Sequence, residues 1–325
     1  MTSMAAHTTK MKKKLVLYTF PPVPKSYSFS PFGLKAESFL RINKIPYETC
    51  YTSSSGKNKT IPYLRIFNGN QSTDLDDFKE VSDSNEMIAY LLKDTDFGTD
   101  ACQENLTKEQ KAISHAFLRM LEEHTSQTNF YYRYHLHMPA YCEATQLRER
   151  VFMGDKSKLG NMIFGFFKKG IVKWWKQKAT ARGFMRYSSP DVVWSMAGED
   201  LQSLEDLFVS APDQKYFLGQ SHPGVLDCAV FGHLSQFLYI GMDFPHKNYL
   251  KENCPGLLRF MEHFKETYFP DWETLCERQP NDALRDDGPR MQSMKTKMKG
   301  MAFGTAVIFI AVGAVVYHKY RTPSS

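Results

Sequence analysis

Residues 28–35 read SFSPFGLK. They follow a short apolar run, KLVLYTF (14–20), and open a segment in which Phe32, Ala36, Phe39, Leu40 and Asn43 recur at helical spacing. Ser30-Pro31-Phe32-Gly33 has the frame of a Cys-Pro-x-Cys motif with neither cysteine present. As structure, Ser30 is a good N-cap and Pro31 a good first helical residue. Phe29 and Leu34 are placed to staple the chain entry. As chemistry, a serine hydroxyl at a helix N-terminus can hydrogen-bond a ligand thiolate and lower its pKa, with the helix dipole assisting. Both readings stand on this stretch alone.

Outward from it, the pattern is β-α-β followed by β-β-α. KLVLY (14–18) reads as a buried strand, IPYETCYT (45–52) as a second and TIPYLRIF (60–67) as a third. DLDDFKEV (74–81) reads as a polar edge strand. SDSNEMIAYLLK (82–93) is a helix led by Ser82 or Ser84, with Met87, Ile88, Leu91 and Leu92 as its apolar stripe. Beyond Phe97-Gly98 the spacing turns helical. KEQKAISHAFLRMLEEHTSQTNFYYRYHL (108–136) carries apolar residues three and four apart. In NMIFGFFKKGIVKWWKQK (161–178), Ile163, Phe167, Ile171 and Trp174 form one stripe among lysines. Three more helices follow, at GEDLQSLEDLFVSA, VLDCAVFGHLSQFLYIG and CPGLLRFMEHFKETYF. The fold class is an α/β domain followed by an all-α one. Residues 1–13 form a basic N-terminus, 14–98 a thioredoxin-like domain, 105–279 a helical domain and 280–299 a tether.

The 325 residues are 42% hydrophobic, enough for a substantial core. The net charge of +6 is gathered in local lysine clusters, and no nucleic-acid-binding motif spacing occurs. The six cysteines are scattered without a C-x-x-C pair, the pattern of reduced thiols. His135 and His137 lack a third metal ligand at helical spacing, so no metal site is expected. KKGIVKWWKQK (168–178) suits either a core helix or a helix touching an anionic bilayer.

Residues 300–317, GMAFGTAVIFIAVGAVVY, contain no charge. As a helix they span roughly 27 Å, close to the bilayer core of about 30 Å. Lys295, Lys297 and Lys299 precede them, and His318, Lys319 and Arg321 follow in the basic tail 318–325. The expectation is a single C-terminal membrane anchor with the preceding domains in the cytosol. The mitochondrial outer membrane is favoured over the endoplasmic reticulum. Gly300 and Gly304 form a G-x-x-x-G at the membrane border.

Several segments resemble the glutathione-transferase superfamily. TIPYL resembles the strand entry at which Pro62 would be cis and the backbone of Ile61 would pair with a bound peptide. DSNEMIAYL resembles the run whose Asp83 and Ser84 would meet the γ-glutamyl end of glutathione. GVLDCAVFGHL (224–234) resembles the buried capping motif, with Asp227 in a structural role. Within that superfamily, four segments are similar to the failed axon connections family, which is close to the metaxins and to cadmium-responsive worm proteins. They are SPFGLKAESFLRINKIPYE, ARGFMRYSSPDVVWSMAGEDLQSLEDLF, KYFLGQSHPGVLDCAVFGHLSQFLY and FMEHFKETYFPDWE. The similarity covers about residues 14–277 and departs at Gly33, where the family usually has Cys. Metaxins are mitochondrial outer-membrane proteins, several of them anchored C-terminally.

The resemblance implies a GST-like binding or scaffolding protein on an organelle membrane, in import, membrane organisation or neuronal development. The alternative is a membrane-bound glutathione-dependent transferase or detoxification enzyme. The glutathione-binding candidates are Ser30, Ile61, Pro62, Asp83 and Ser84, with Ser30 the one catalytic candidate. No resident cofactor is expected, and glutathione is the one small molecule implied. The membrane, through 300–317, and protein partners are expected; a homodimer is left open. An enzyme needs an open cleft above Ser30, which a binding protein could fill with Tyr27, Phe29 or the loop 53–59.

Overall fold

The continuous apolar run Leu15-Val16-Leu17 in KLVLYT explains the first strand. In β1 (Lys14–Thr19), Leu15 and Leu17 are buried in the main core, as the period-2 pleat requires. The structure is a computed structural model that describes residues 13–52, 55–67, 78–97, 106–152, 158–181, 183–187, 189–210 and 214–277. The expected basic N-terminus (apart from Lys13), tether and membrane span, with Gly300 and Gly304, lie outside these residues. Among the described residues, no helix is long and apolar enough to cross a membrane.

α1 (Pro31–Ile42) follows β1, and β2 (Glu48–Tyr51) then pairs parallel to it. β3 (Tyr63–Phe67) pairs antiparallel to β1, and β4 (Phe78–Ser82) antiparallel to β3. The sheet order is β2-β1-β3-β4, a thioredoxin-like arrangement. The register sets Leu17 opposite Leu64 and Leu64 opposite Val81, and these side chains are buried together in the core. On the same sheet, Tyr18 stacks on Tyr63 at 4.6 Å, and the Arg65 guanidinium lies 4.6 Å from the Tyr18 ring. Ile61–Pro62 is cis, as the resemblance implies. β2 starts three residues later than the apolar pattern suggests, at Glu48.

α2 (Ser84–Lys93) is capped by Asp83, not by Ser82 or Ser84. Asp83 has φ 76°, and its short carboxylate reaches the Asn85 N–H at 2.8 Å. Asp tolerates that left-handed backbone better than most side chains, which displaces the cap from the serines.

The remaining described segments beyond α2 are helical. α3 (Lys108–Met120) starts from a capping box of Thr107 and Gln110. It runs on through a wide π turn at Leu121–Thr125, α4 (Ser126–Phe130) and a second π turn at Tyr131–Leu136. Then come α5 (Met138–Ala144), α6 (Leu147–Phe152), α7 (Lys158–Ala181), α8 (Pro190–Val209), α9 (Val225–Leu238), α10 (Pro245–Asn253), α11 (Pro255–Tyr268) and α12 (Trp272–Glu277). The expected α7 stripe is corrected at its end. Trp175 and Ala179 are fully buried, against Tyr131 and Phe184, whereas Trp174 is 43% exposed and Phe167 and Ile171 half-buried.

α9 is buried along nearly its whole length, as its continuous apolar run demands. It packs on α1 at Gly232, where a Cβ would stand 2.5 Å from the Pro31 carbonyl oxygen and 3.0 Å from the Lys35 nitrogen. That close approach fixes the first turn of α1 against the helical layer. Asp227 is buried at the start of α9 and accepts the backbone N–H of Phe217 at 2.9 Å and of Gly224 at 2.8 Å. A second tie runs from α1 to the residue before α12: Arg41 forms two hydrogen bonds to the Asp271 carboxylate, at 2.7 and 2.8 Å. No disulfide links the described cysteines.

Candidate functional site

Ser30 caps α1. Its Oγ accepts the Gly33 N–H at 3.2 Å, and its own N–H donates to Ser28 Oγ at 3.1 Å. Its hydroxyl proton has no acceptor among the described residues. Phe29 and Leu34, the staple pair, are both buried in the main core. Two groups from the helical layer hold the preceding turn. Gln236 Nε2 donates to the Ser28 carbonyl at 3.1 Å, and Arg133 to the Phe29 carbonyl at 3.2 Å.

Above this turn lies a cavity of about 640 Å³. Ser30, Ile61, Pro62 and Asp83 all line it, so the structure brings together four of the five expected binding residues. Ser84 does not line it. As the first residue of α2 it is fully buried, and its Oγ has no hydrogen-bond partner among the described residues. Asn85 lines the wall instead. Tyr27 does not fill the cavity: its hydroxyl donates to Glu37 at 2.9 Å and its ring meets Phe269 and Trp272. Phe29, Ser55 and Lys59 contribute to the walls, and positions 53 and 54 of the loop lie outside the described residues.

The cavity has two chemically different sides. Aromatic and aliphatic groups from the helical layer, Phe130, Tyr134, Tyr141, Phe167, Ile171 and Trp174, form one. The other carries Arg119, Glu122, Asn85 and Asp83. Between them Arg133 lines the wall, 1% exposed, with its guanidinium 4.8–5.1 Å from the rings of Phe130, Tyr134 and Tyr141. No cysteine lines the cavity among the described residues.

Beneath the polar side is a buried ion pair between layers. Lys35 of α1 donates to Glu122, in the first π turn, and to Asn85 Oδ1 at 2.6 Å. Asn85 Nδ2 and Arg119 donate to the other Glu122 oxygen at 2.9 and 2.8 Å. Burial alone would raise the Glu122 pKa, but the Lys35 charge and hydrogen bond, with Asn85, hold it below the usual carboxylate range. His233 packs edge-on against Phe32. Burial depresses its pKa to about 3, Glu122 opposing and Lys35 and Arg133 adding to the effect, so its imidazole is neutral.

Sequence spacing did not single out Arg119, Arg133, Glu122 or Lys35. The available signal was charge within an otherwise apolar helical run: Arg133 in NFYYRYHL, and Lys35 one turn after the Ser30 cap. His135 and His137 are ring-packing residues, stacked on Trp175 and leaning on Tyr132.

Residues 31–139 match the family model of the glutathione S-transferase N-terminal domain, and residues 197–264 that of the glutathione S-transferase C-terminal domain. Over 289 residues the chain is 28% identical to Failed axon connections of Drosophila melanogaster, a match covering 84% of this chain. The chain is thus similar to the glutathione S-transferase domain families and to Failed axon connections. The match takes in 62% of the Drosophila protein's length. Solved structures similar to the chain include a glutathione S-transferase of Ceriporiopsis subvermispora, at 16% identity and TM-score 0.47, covering 78% of this chain and 97% of that one. The β-etherase LigF from a Sphingobium strain shows 16% identity and TM-score 0.48, covering 78% and 95%. Glutathione transferase Omega 2S of Trametes versicolor shows 14% identity and TM-score 0.42, covering 88% and 96%.

Proposed function

We propose that the chain is a non-catalytic binding protein on a glutathione-transferase scaffold, held on an organelle membrane by residues 300–317. The observation that carries this reading is the open cavity above Ser30. It gathers Ser30, Ile61, Pro62 and Asp83 with no thiol among the described lining residues, and the lone pair of Ser30 that faces Gly33 is already committed to capping. Its polar side suits a small peptide with a free amine and carboxylates: Asp83 would meet the amine and Arg119 a carboxylate, while the backbone of Ile61 would pair with the peptide. Glutathione fits that description, and the family models support it as the first ligand to try. The uncharged run 300–317 with basic borders supports the membrane attachment, the mitochondrial outer membrane being the favoured site. On this reading, the scaffold's output is an interaction with other proteins that ligand occupancy could modulate.

The rival reading, a glutathione-dependent transferase, draws support from the same cavity and from the Ser30 proton, which has no acceptor among the described residues. Two measurements on the full chain separate them. Millimolar glutathione should raise the melting temperature, and conjugation to common electrophilic substrates should stay at the uncatalysed rate. Conjugation well above that rate, lost in Ser30→Ala with folding preserved, would put the enzyme first. No thermal shift would remove glutathione from both readings.

A further inference from the structure

α7 carries six lysines and no acidic residue in its 24 positions. Its inward side carries Trp175 and Ala179, fully buried, with Phe164, Phe167, Ile171 and Val172 half-buried against the core. The opposite side presents Met162, Phe166, Lys169, Lys173 and Lys176 at spacings of four, three, four and three, a single line along the helix. Met162 is 52% exposed and Phe166 66%. Lys169, Lys173 and Lys176 are exposed, and no carboxylate pairs with them among the described residues. They flank an open concavity of about 840 Å³ along the helix.

We propose that this face of α7 rests on an anionic lipid surface, with Phe166 and Met162 entering the acyl boundary and the three lysines meeting headgroup phosphates and carboxylates. Phe166 and Met162 expose apolar area beside cations that have no carboxylate partner among the described residues. At a bilayer the ring is buried, while the long lysine stems follow it inward and keep their ammonium groups in the headgroup layer. The choice of cation separates lipid from protein as the occupant. Protein interfaces are depleted in lysine and enriched in arginine, and α7 holds six lysines and no arginine. Among the described residues, the concavity is lined by this one helix. The proposal does not depend on residues 300–317 crossing a membrane.

The test uses the full chain in two forms, with photoreactive benzoylphenylalanine replacing Phe166 or Ala311. Each is reconstituted with phosphatidylcholine vesicles, with or without phosphatidylserine, and irradiated. A lipid adduct at 166 that needs phosphatidylserine, and falls about tenfold or more in Lys169→Glu/Lys173→Glu/Lys176→Glu, is the expected result. An adduct at 311 in both lipids reports the span separately. Lipid capture at 311 without capture at 166 overturns the surface and leaves the anchor standing; capture at 166 alone does the reverse. Equal capture at 166 in neutral vesicles removes the electrostatic half of the proposal. Capture by added poly-glutamate in place of lipid replaces the bilayer with an acidic protein partner. A crosslink from 166 to the chain itself shows the face to be covered intramolecularly. Circular dichroism of the triple variant separates lost binding from lost fold.

Discussion

The Oγ1 of Thr19 lies 2.6 Å from the point where a Cβ on Gly33 would stand. Thr19 is 2% exposed, and its hydroxyl has no partner among the described residues. The threonine at the end of β1 therefore occupies the space that a side chain at 33 would need. This bears on the sequence departure at Gly33: a cysteine there requires Thr19 to move. Gly33→Ala is expected to cost about 1–3 kcal/mol through overpacking, even though alanine is intrinsically the better helix former by about 1 kcal/mol. Adding Thr19→Ala should restore much of that loss. Urea denaturation of the two single variants and the pair gives the coupling. Strict additivity would show that the two positions do not compete for space.

Lys35 and Glu122 join the sheet layer to the helical layer with both side chains out of water. Glu122→Gln leaves an ammonium buried against an amide, and is expected to destabilise the fold by about 3–5 kcal/mol. Lys35→Met with Glu122→Leu removes both charges and should cost less than either single change. A double variant as unstable as the sum would assign the pair a net stabilising role that burial argues against. Because the folded Glu122 pKa is lowered, its contribution is complete above the ordinary carboxylate range and disappears as the pH falls below it.

Stability in mild acid depends on groups of opposite sign. His233 and His246 are buried, with pKa values depressed to about 3 from an ordinary 6.5. Between those values the unfolded imidazoles take up protons that the folded ones refuse, so each lowers stability as the pH falls. Burial pushes Asp227 the other way, to about 7, against the pull of its backbone N–H partners. Its folded carboxyl is protonated where the unfolded one is not, so it adds stability as the pH falls from about 7 toward the ordinary aspartate range. Asp227→Asn should therefore steepen the acid loss of stability, whatever its effect at neutral pH. Urea midpoints measured from about pH 4 to pH 7 check this, and an unchanged slope would place the Asp227 pKa near its ordinary value.

How far the sequence reaches is clear from particular residues. The apolar run around Leu15 and Leu17 reads as a buried strand, and Ser30-Pro31 is a local capping signal that needs no tertiary information, whereas the Asp227 cap was legible only through the family resemblance. Asp83 was recognised as a site residue but not as the α2 cap, because its role depends on a left-handed backbone that sequence does not display. Trp174 and Trp175 are adjacent, and helical spacing alone fits either one to an inward stripe. Only the packing of Tyr131 and Phe184 makes Trp175 the buried one. Arg119, Glu122 and Arg133 reach the cavity from a helical run that begins at Lys108, far along the chain from α1 (Pro31–Ile42). Nothing local ties them to Ser30.

Ser30 is where structure and chemistry remain superimposed. As a cap, Ser30→Ala should cost about 1 kcal/mol. Ser30→Asp should be tolerated, since a carboxylate also accepts the Gly33 N–H and suits the positive end of α1. If the hydroxyl instead holds a ligand thiolate, Ser30→Asp should abolish glutathione binding, because two anions would be forced together in a cavity 7% accessible at that residue. Ser30→Cys separates the readings a third way. A thiol at this helix N-terminus should have a lowered pKa and confer thiol–disulfide exchange with glutathione disulfide that the native chain lacks. The expected set is near-native stability for Ser30→Asp, a modest loss for Ser30→Ala and exchange activity only in Ser30→Cys. Glutathione conjugation by the native chain that vanishes in both Ser30→Ala and Ser30→Asp, with melting temperatures preserved, would make Ser30 a catalytic residue and the cavity an enzyme's active site.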